Sequence, residues 1–134
     1  MTIDEALYEK IVSLGEVTAR VQSRVFARWR SQLSALPAMT FFRVDTTISQ
    51  SSKGRTKTER ARFQIDIFAT SHRQARAIAD ALKTGLDGWT HASDPAISYC
   101  GLDSEQDLSE DTGDGSEAPT ARITQDWILW YSVG

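Results

Sequence analysis

Between Glu59 and Trp89 the spacing of apolar residues changes from every second position to every third or fourth. Ala61, Phe63, Ile65, Ile67 and Ala69 alternate with Arg60, Arg62, Gln64, Asp66 and Phe68. That is the pattern of a strand with one buried face, because successive side chains of a strand point to opposite sides of its sheet. Ser71 then stands where a helix N-cap belongs and Gln74 takes the capping-box position. Ala75, Ile78, Ala79, Leu82 and Leu86 share one helical face before Gly88 ends the run. Each apolar face needs a cover. A strand followed at once by an amphipathic helix commits the chain to helix packed on sheet.

The remaining segments give the order helix, strand, strand, strand, helix, strand, strand. Thr2 and Glu5 form a capping box for a first helix whose stripe is Ile3, Leu7, Ile11 and Leu14, and Gly15 is expected to end it. Arg24 to Trp29 reads as a short strand, with Pro37 in the loop after it. Phe42, Val44, Thr46 and Ile48 alternate with Arg43, Asp45 and Thr47 in the next strand. The polar stretch S-S-K-G-R-T-K is too long for a tight turn, so a flexible basic hairpin loop is expected over about residues 50–58. Ala96 to Gly101 and Ala121 to Val133 are the last strands, and about residues 103–119 form a flexible acidic loop. No internal repeat is present. The expectation is one α+β domain over residues 1–134, a mainly antiparallel sheet with two helices on one face.

Composition agrees with a single domain: 134 residues, 40% hydrophobic and 25% charged, suit one modest core. No apolar run approaches the roughly 18 residues of a membrane span, and the first residues lack a signal-peptide layout. No membrane partner is expected, and the chain should stay in the cytoplasm where it is made. Cys100 is the only cysteine, which excludes an intrachain disulfide and a thiolate-built zinc site. On a strand it reads as a small buried hydrophobe.

The net charge of −3 hides an asymmetry. Asp103, Glu105, Asp107, Glu110, Asp111, Asp114 and Glu117 follow one another without a basic residue, which leaves 15 basic and 11 acidic groups elsewhere. Basic side chains gather at Arg20, Arg24, Arg28 and Arg30, and again at Lys53, Arg55, Lys57, Arg60 and Arg62. Opposite charges therefore sit on separate segments. The last strand is apolar on both faces, with Ile123, Trp127, Leu129 and Tyr131 on one and Ile128 and Trp130 on the other. Phe68 is the apolar exception on the polar face of its own strand. Trp130 needs a cover: the first helix or the long hairpin folded across that face, or a neighbouring subunit.

Catalytic constellations are missing from the sequence. His72 opens a helix, where the macrodipole disfavours its protonated form, and His91 lies in a loop, neither near a paired carboxylate motif. D-T-G at Asp111 to Gly113 matches the aspartic-protease tripeptide, but it is flanked by S-E and D-G instead of emerging from a hydrophobic strand. An EF-hand begun at Asp103 would have Leu108 where glycine is required and Asp114 where the bidentate glutamate belongs. The clustered carboxylates leave weak divalent-cation binding open. No cofactor is expected. The basic patch around Arg55 has no interleaved aromatic and the chain is acidic overall, which argues against sequence-specific nucleic-acid binding.

Several segments together resemble a known family. R-F-Q-I-D-I-F-A at Arg62 to Ala69, A-R-A-I-A-D-A-L at Ala75 to Leu82 and L-D-G-W at Leu86 to Trp89 are similar to the strand, helix and helix end of small tailed-phage tail completion or tail terminator proteins. G-L-D-S-E-Q-D-L at Gly101 to Leu108 and D-W-I-L-W-Y at Asp126 to Tyr131 extend the likeness over roughly Thr40 to Ser132. The basic Arg20 to Arg30 segment and the long run S-E-D-T-G-D-G-S-E-A-P depart from the family pattern, so contact residues are not carried over from relatives.

The resemblance implies a structural virion protein rather than an enzyme: a ring, expected to be hexameric, that caps the head-proximal end of the tail tube. It ends tail growth and docks the head. The implied partners are copies of the chain itself, the tail tube protein and a head-completion or neck protein, with genome DNA passing through the lumen unread. Candidate contact residues are Lys53, Arg55, Lys57, Asp103, Glu105, Asp107, Glu110, Asp111, Phe68 and Trp130. In a ring, the basic hairpin of one copy can meet the acidic loop of the next. Facing the lumen instead, that loop would repel DNA phosphates. The alternatives are another head–tail connector, such as a neck or stopper protein, and a non-viral ligand-binding or regulatory module.

Overall fold

A computed structural model describes residues 1–28, 35–51, 54–108 and 121–132. The elements are α1 (Ile3–Ser13), α2 (Gly15–Val21), β1 (Val25–Ala27), β2 (Ala38–Ser51), β3 (Gly54–Ala69), α3 (His72–Leu86), β4 (Ile97–Asp107) and β5 (Ala121–Ser132). The five strands form one sheet in the order β1-β2-β3-β5-β4. Among the described residues only the β1–β2 pairing is parallel.

The period switch is realised as expected. Ala61, Phe63, Ile65, Ile67 and Ala69 of β3 are fully buried beneath Ala75, Ile78, Ala79, Leu82 and Leu86 of α3. On β5, Ile123, Trp127 and Leu129 lie opposite Ile67, Phe63 and Ala61 and complete the same face. Burying a side chain of this size is worth about 1.5–3 kcal/mol, so this layer carries much of the fold. Ser71 caps α3 by accepting from the Gln74 N–H. Gln74 in turn accepts from the backbone N–H and hydroxyl of Thr70.

Past the helix, Gly88 takes a φ of +81°, which glycine adopts without strain, and its N–H donates to the Cys100 carbonyl at 2.8 Å. This bond ties the end of α3 to β4, a physical reason for glycine in L-D-G-W. Cys100 is buried, and burial pushes its thiol up to about 12.

Four expectations change. Gly15 begins a second short helix instead of ending the helical region: Val17 and Val21, one turn apart, are both fully buried. Among the described residues three helices therefore accompany the sheet. Gly85 of α3 makes room for this corner, since a Cβ there would lie 2.6 Å from Leu14 Cδ2.

The hairpin is strand almost to its tip, with β2 and β3 paired as far as Ser51 and Gly54. Residues 52–53 lie outside the described residues. β4 likewise runs on to Asp107, so Asp103, Glu105 and Asp107 are strand residues rather than part of a loop.

In β2 the core face belongs to Met39 and Phe41, while Val44 is 46% exposed at a bulge between Arg43 and Asp45. The extra residue reverses the parity along the strand, which simple alternation cannot foresee. As expected, α1 packs on the same face as α3. Asp4 pairs with Arg43, and the rings of Tyr8 and Phe41 stack with centroids 6.1 Å apart. It does not cover Trp130.

Candidate assembly surfaces

With the helices on one side, the other side of the sheet presents Arg60, Arg62, Gln64, Asp66 and Phe68 of β3 beside Arg122, Thr124, Asp126, Ile128 and Trp130 of β5. One end of this open face is a polar network. Asp66 is buried and accepts from the Thr124 hydroxyl at 2.6 Å, from Gln64 Nε2 at 3.1 Å and from Arg122 at 3.3 Å. Arg122 also lies over the Phe68 ring, 5.5 Å from its centroid.

The other end is aromatic. Trp130, half-buried, stands between Arg60 on β3 and Tyr99 on β4. Tyr99 is 51% exposed and folds over Gly101, where a Cβ would come within 2.3 Å of its hydroxyl. Ile128 is only 7% exposed.

Beside Phe68 and Trp130 on the open face, the expected contact residues divide into three groups. Lys53, Glu110 and Asp111 lie outside the described residues. Arg55 faces Gln50 across the hairpin, and Lys57 is exposed on β3. Asp103, Glu105 and Asp107 are each engaged within the chain. Arg62 donates to Asp103 at 2.9 Å across the open face. Glu105 receives Arg76 at 2.7 Å, Lys83 at 3.3 Å and Gln125 at 2.8 Å on the helix side. Burial alone would raise the Glu105 carboxyl, but these hydrogen bonds hold it below the ordinary glutamate range. Asp107 lies 3.0 Å from His72 Nδ1 at the start of α3. The polar letters of R-x-Q-I-D and G-L-D-S-E-Q-D therefore wire strands to one another and to α3.

Two concave surfaces were not foreseen. A groove of about 700 Å³ runs between α1 and the edge formed by β1 and β2, with Tyr8, Glu9, Ala27, Arg28, Phe41 and Phe42 among its lining. A second cavity, of about 500 Å³, lies beside the amino terminus and includes Glu59 and Tyr131. There the Tyr131 hydroxyl donates to the buried Glu59 carboxylate at 2.9 Å. Burial and this carboxylate push the phenol up to about 12. The groove's signal lay in the first helix, where Tyr8 and Glu9 sit off the Ile3–Leu7–Ile11 stripe. Its other wall comes from β1 and β2, which no local pattern brings there. Among the described residues no group of three His, Cys, Asp or Glu side chains is placed to hold a metal ion. No helix among them is long and apolar enough to cross a membrane.

No curated protein matches the chain. Among solved structures, a chain from the virion of a native gene transfer agent particle superposes with a TM-score of 0.79 at 15% identity, covering 97% of this chain and 94% of that one. At that identity the likeness shows a shared fold. The family model described as tail completion protein gp17 matches residues 5–131, from within α1 to within β5. The chain belongs to the tail completion protein gp17 family, the structural proteins of the phage virion tail.

Proposed function

We propose that copies of this chain close into a ring of six on the head-proximal end of the tail tube. The ring ends tube growth and gives the head its docking surface, and the genome passes through the lumen. The observation that carries this reading is the family match over residues 5–131. The surface supports it physically, because helices cover one sheet face and the other bears Tyr99, Ile128 and Trp130. A heterologous ring needs two different surfaces on each subunit, and this domain offers several.

Phe68 and Trp130 on the open face, together with Lys53, Arg55 and Lys57 of the hairpin and Glu110 and Asp111 of the acidic segment, contact neighbouring copies, tube or neck. Asp103, Glu105 and Asp107 serve the subunit itself, as their internal partners indicate. Exposed charge pairs steer docking and set register more than they add affinity, at about 0–1 kcal/mol each.

The test is native mass spectrometry with negative-stain imaging over a concentration series, repeated with purified tail tubes. Closed six-membered rings with a central hole, alone or on tube ends, are expected. A chain that stays monomeric and leaves tube ends bare would refute the capping role.

A further inference from the structure

One apolar residue of the open face is buried although no described helix covers it. Ile128 stands apart from the core cluster, and α1 and α3 both lie on the other side of the sheet. Side chains of its own face must therefore close over it.

Ile128 is opposite Arg62 on β3 and opposite Gly101 on β4. Gly101 offers no side chain, and the Tyr99 ring fills that space: a Cβ on Gly101 would lie 2.3 Å from the Tyr99 hydroxyl. Trp130, two residues along β5, closes the next side. The remaining side belongs to Arg62. Its guanidinium donates at 2.9 Å to Asp103, which lies on β4 beyond β5, two strand spacings or about 10 Å away. The side chain therefore crosses β5 beside Ile128, its apolar stem against the isoleucine and its charge at the surface.

This cover is easily moved. Arg62 is part-exposed and Asp103 half-exposed, so their pair is screened by solvent. A second carboxylate stands on the other side of Arg62. Asp45 of β2 is its register partner and is exposed, and residues opposite each other in a sheet share a face. The hydrogen bond with Asp103 holds the guanidinium above the ordinary arginine value, and the charges of Asp103, Asp126 and Asp45 add to it. Leaving Asp103 for Asp45 exchanges one ion pair for another and draws the arginine stem off β5.

We propose that Arg62 is a two-position strap: paired with Asp103 it closes over Ile128, and turned to Asp45 it bares a row of Ile128, Trp130 and Tyr99 for a neighbouring copy. The use of the bared row rests on the ring reading. The strap itself is a property of the single subunit, and the test is made there.

The probe is Nile red, an uncharged dye that brightens on apolar surface, added to free subunit diluted until native mass spectrometry shows the monomer. Arg62→Ala and Asp103→Ala should each raise its fluorescence by at least about twofold, because each removes the cover from Ile128. Ile128→Ala placed in either background should abolish the rise. Asp45→Ala removes only the open position and should keep the wild-type signal. Circular dichroism checks that each variant folds. A wild-type signal from folded Arg62→Ala and Asp103→Ala would overturn the strap, as would a rise that survives Ile128→Ala or an equal rise in Asp45→Ala. Each of those results leaves the ring standing, and a chain that never forms rings leaves the dye result untouched, so the two readings fail separately.

Discussion

The two faces of the central sheet are built from the same strands to opposite ends. On β5, Trp127 points to the helices and is fully buried, with its indole N–H donating to Gln125 at 3.0 Å, while Trp130 points the other way and is half-buried. On β3, Phe63 and Ile65 are sealed under α3, whereas Arg62 beside them bonds across the open face to Asp103 and Gln64 bonds along the strand to Asp66. The covered face holds the subunit together by apolar burial. The open face is held by directional polar contacts and leaves aromatic surface part-exposed at Tyr99 and Trp130.

The largest test of the contrast is Trp127→Ala, which should cost about 3–5 kcal/mol in denaturant unfolding, because a buried aromatic is replaced by a cavity. A loss below about 1 kcal/mol would mean that the helix-covered face is not the core. Tyr131→Phe should cost about 1–3 kcal/mol at neutral pH, since it deprives the buried Glu59 carboxylate of a donor.

The same residue gives the covered face an alkaline signature. Folded Tyr131 and Cys100 both hold their protons to about pH 12, above their ordinary values of 10.0 and 9.0. Between those values and 12 the folded state binds more protons than the unfolded one, so stability should fall as pH rises from about 9. Tyr131→Phe and Cys100→Ala should each flatten that fall in unfolding curves measured against pH.

Trp130→Ala should lower the stability of the isolated subunit by only about 1 kcal/mol, as half-burial implies, yet impair ring or tail assembly measured by imaging. A stability loss equal to that of Trp127→Ala would erase the distinction between the faces. Smallest of all, Arg62→Gln should change subunit stability by less than about 1 kcal/mol, because its pair with the half-exposed Asp103 is screened by solvent. Thermal unfolding at low and high salt would measure it.

The regular parts of this fold were legible because each follows a local period. Ala61 to Ala69 and Ala75 to Leu86 appear in the structure with the faces that alternation and helical spacing assign them; the Thr2 capping box forms as read, and Ser71 caps α3 although the Gln74 side chain turns to Thr70 instead of closing a box. The misreadings have physical causes. A bulge at Val44 shifts the parity of β2, so its apolar alternation does not mark the core face. Gly15 resembles a helix stop, yet the pair Val17 and Val21 finds cover against α3 and turns a short, weakly signalled segment into a helix.

The candidate interface was legible only in part. Phe68 and Trp130 were found as apolar residues on an otherwise polar face, and the structure leaves both half-buried on the open side. Asp103, Glu105 and Asp107 looked like a free acidic loop because their partners Arg62, Arg76, Lys83 and His72 are distant in sequence. Charge runs report composition, whereas pairing depends on which strands become neighbours.

The sequence by itself determined the strand and helix periods, the caps, the lone buried cysteine, the separation of charge and the motifs that carry the family likeness. All of these depend on residues within one or two turns or a few strand positions of each other. Tertiary structure alone decided that β5 lies between β3 and β4 and that a groove opens where β1 stops short of β2. Those outcomes depend on contacts between residues far apart in the chain, whose free energy exists only once the whole sheet has formed.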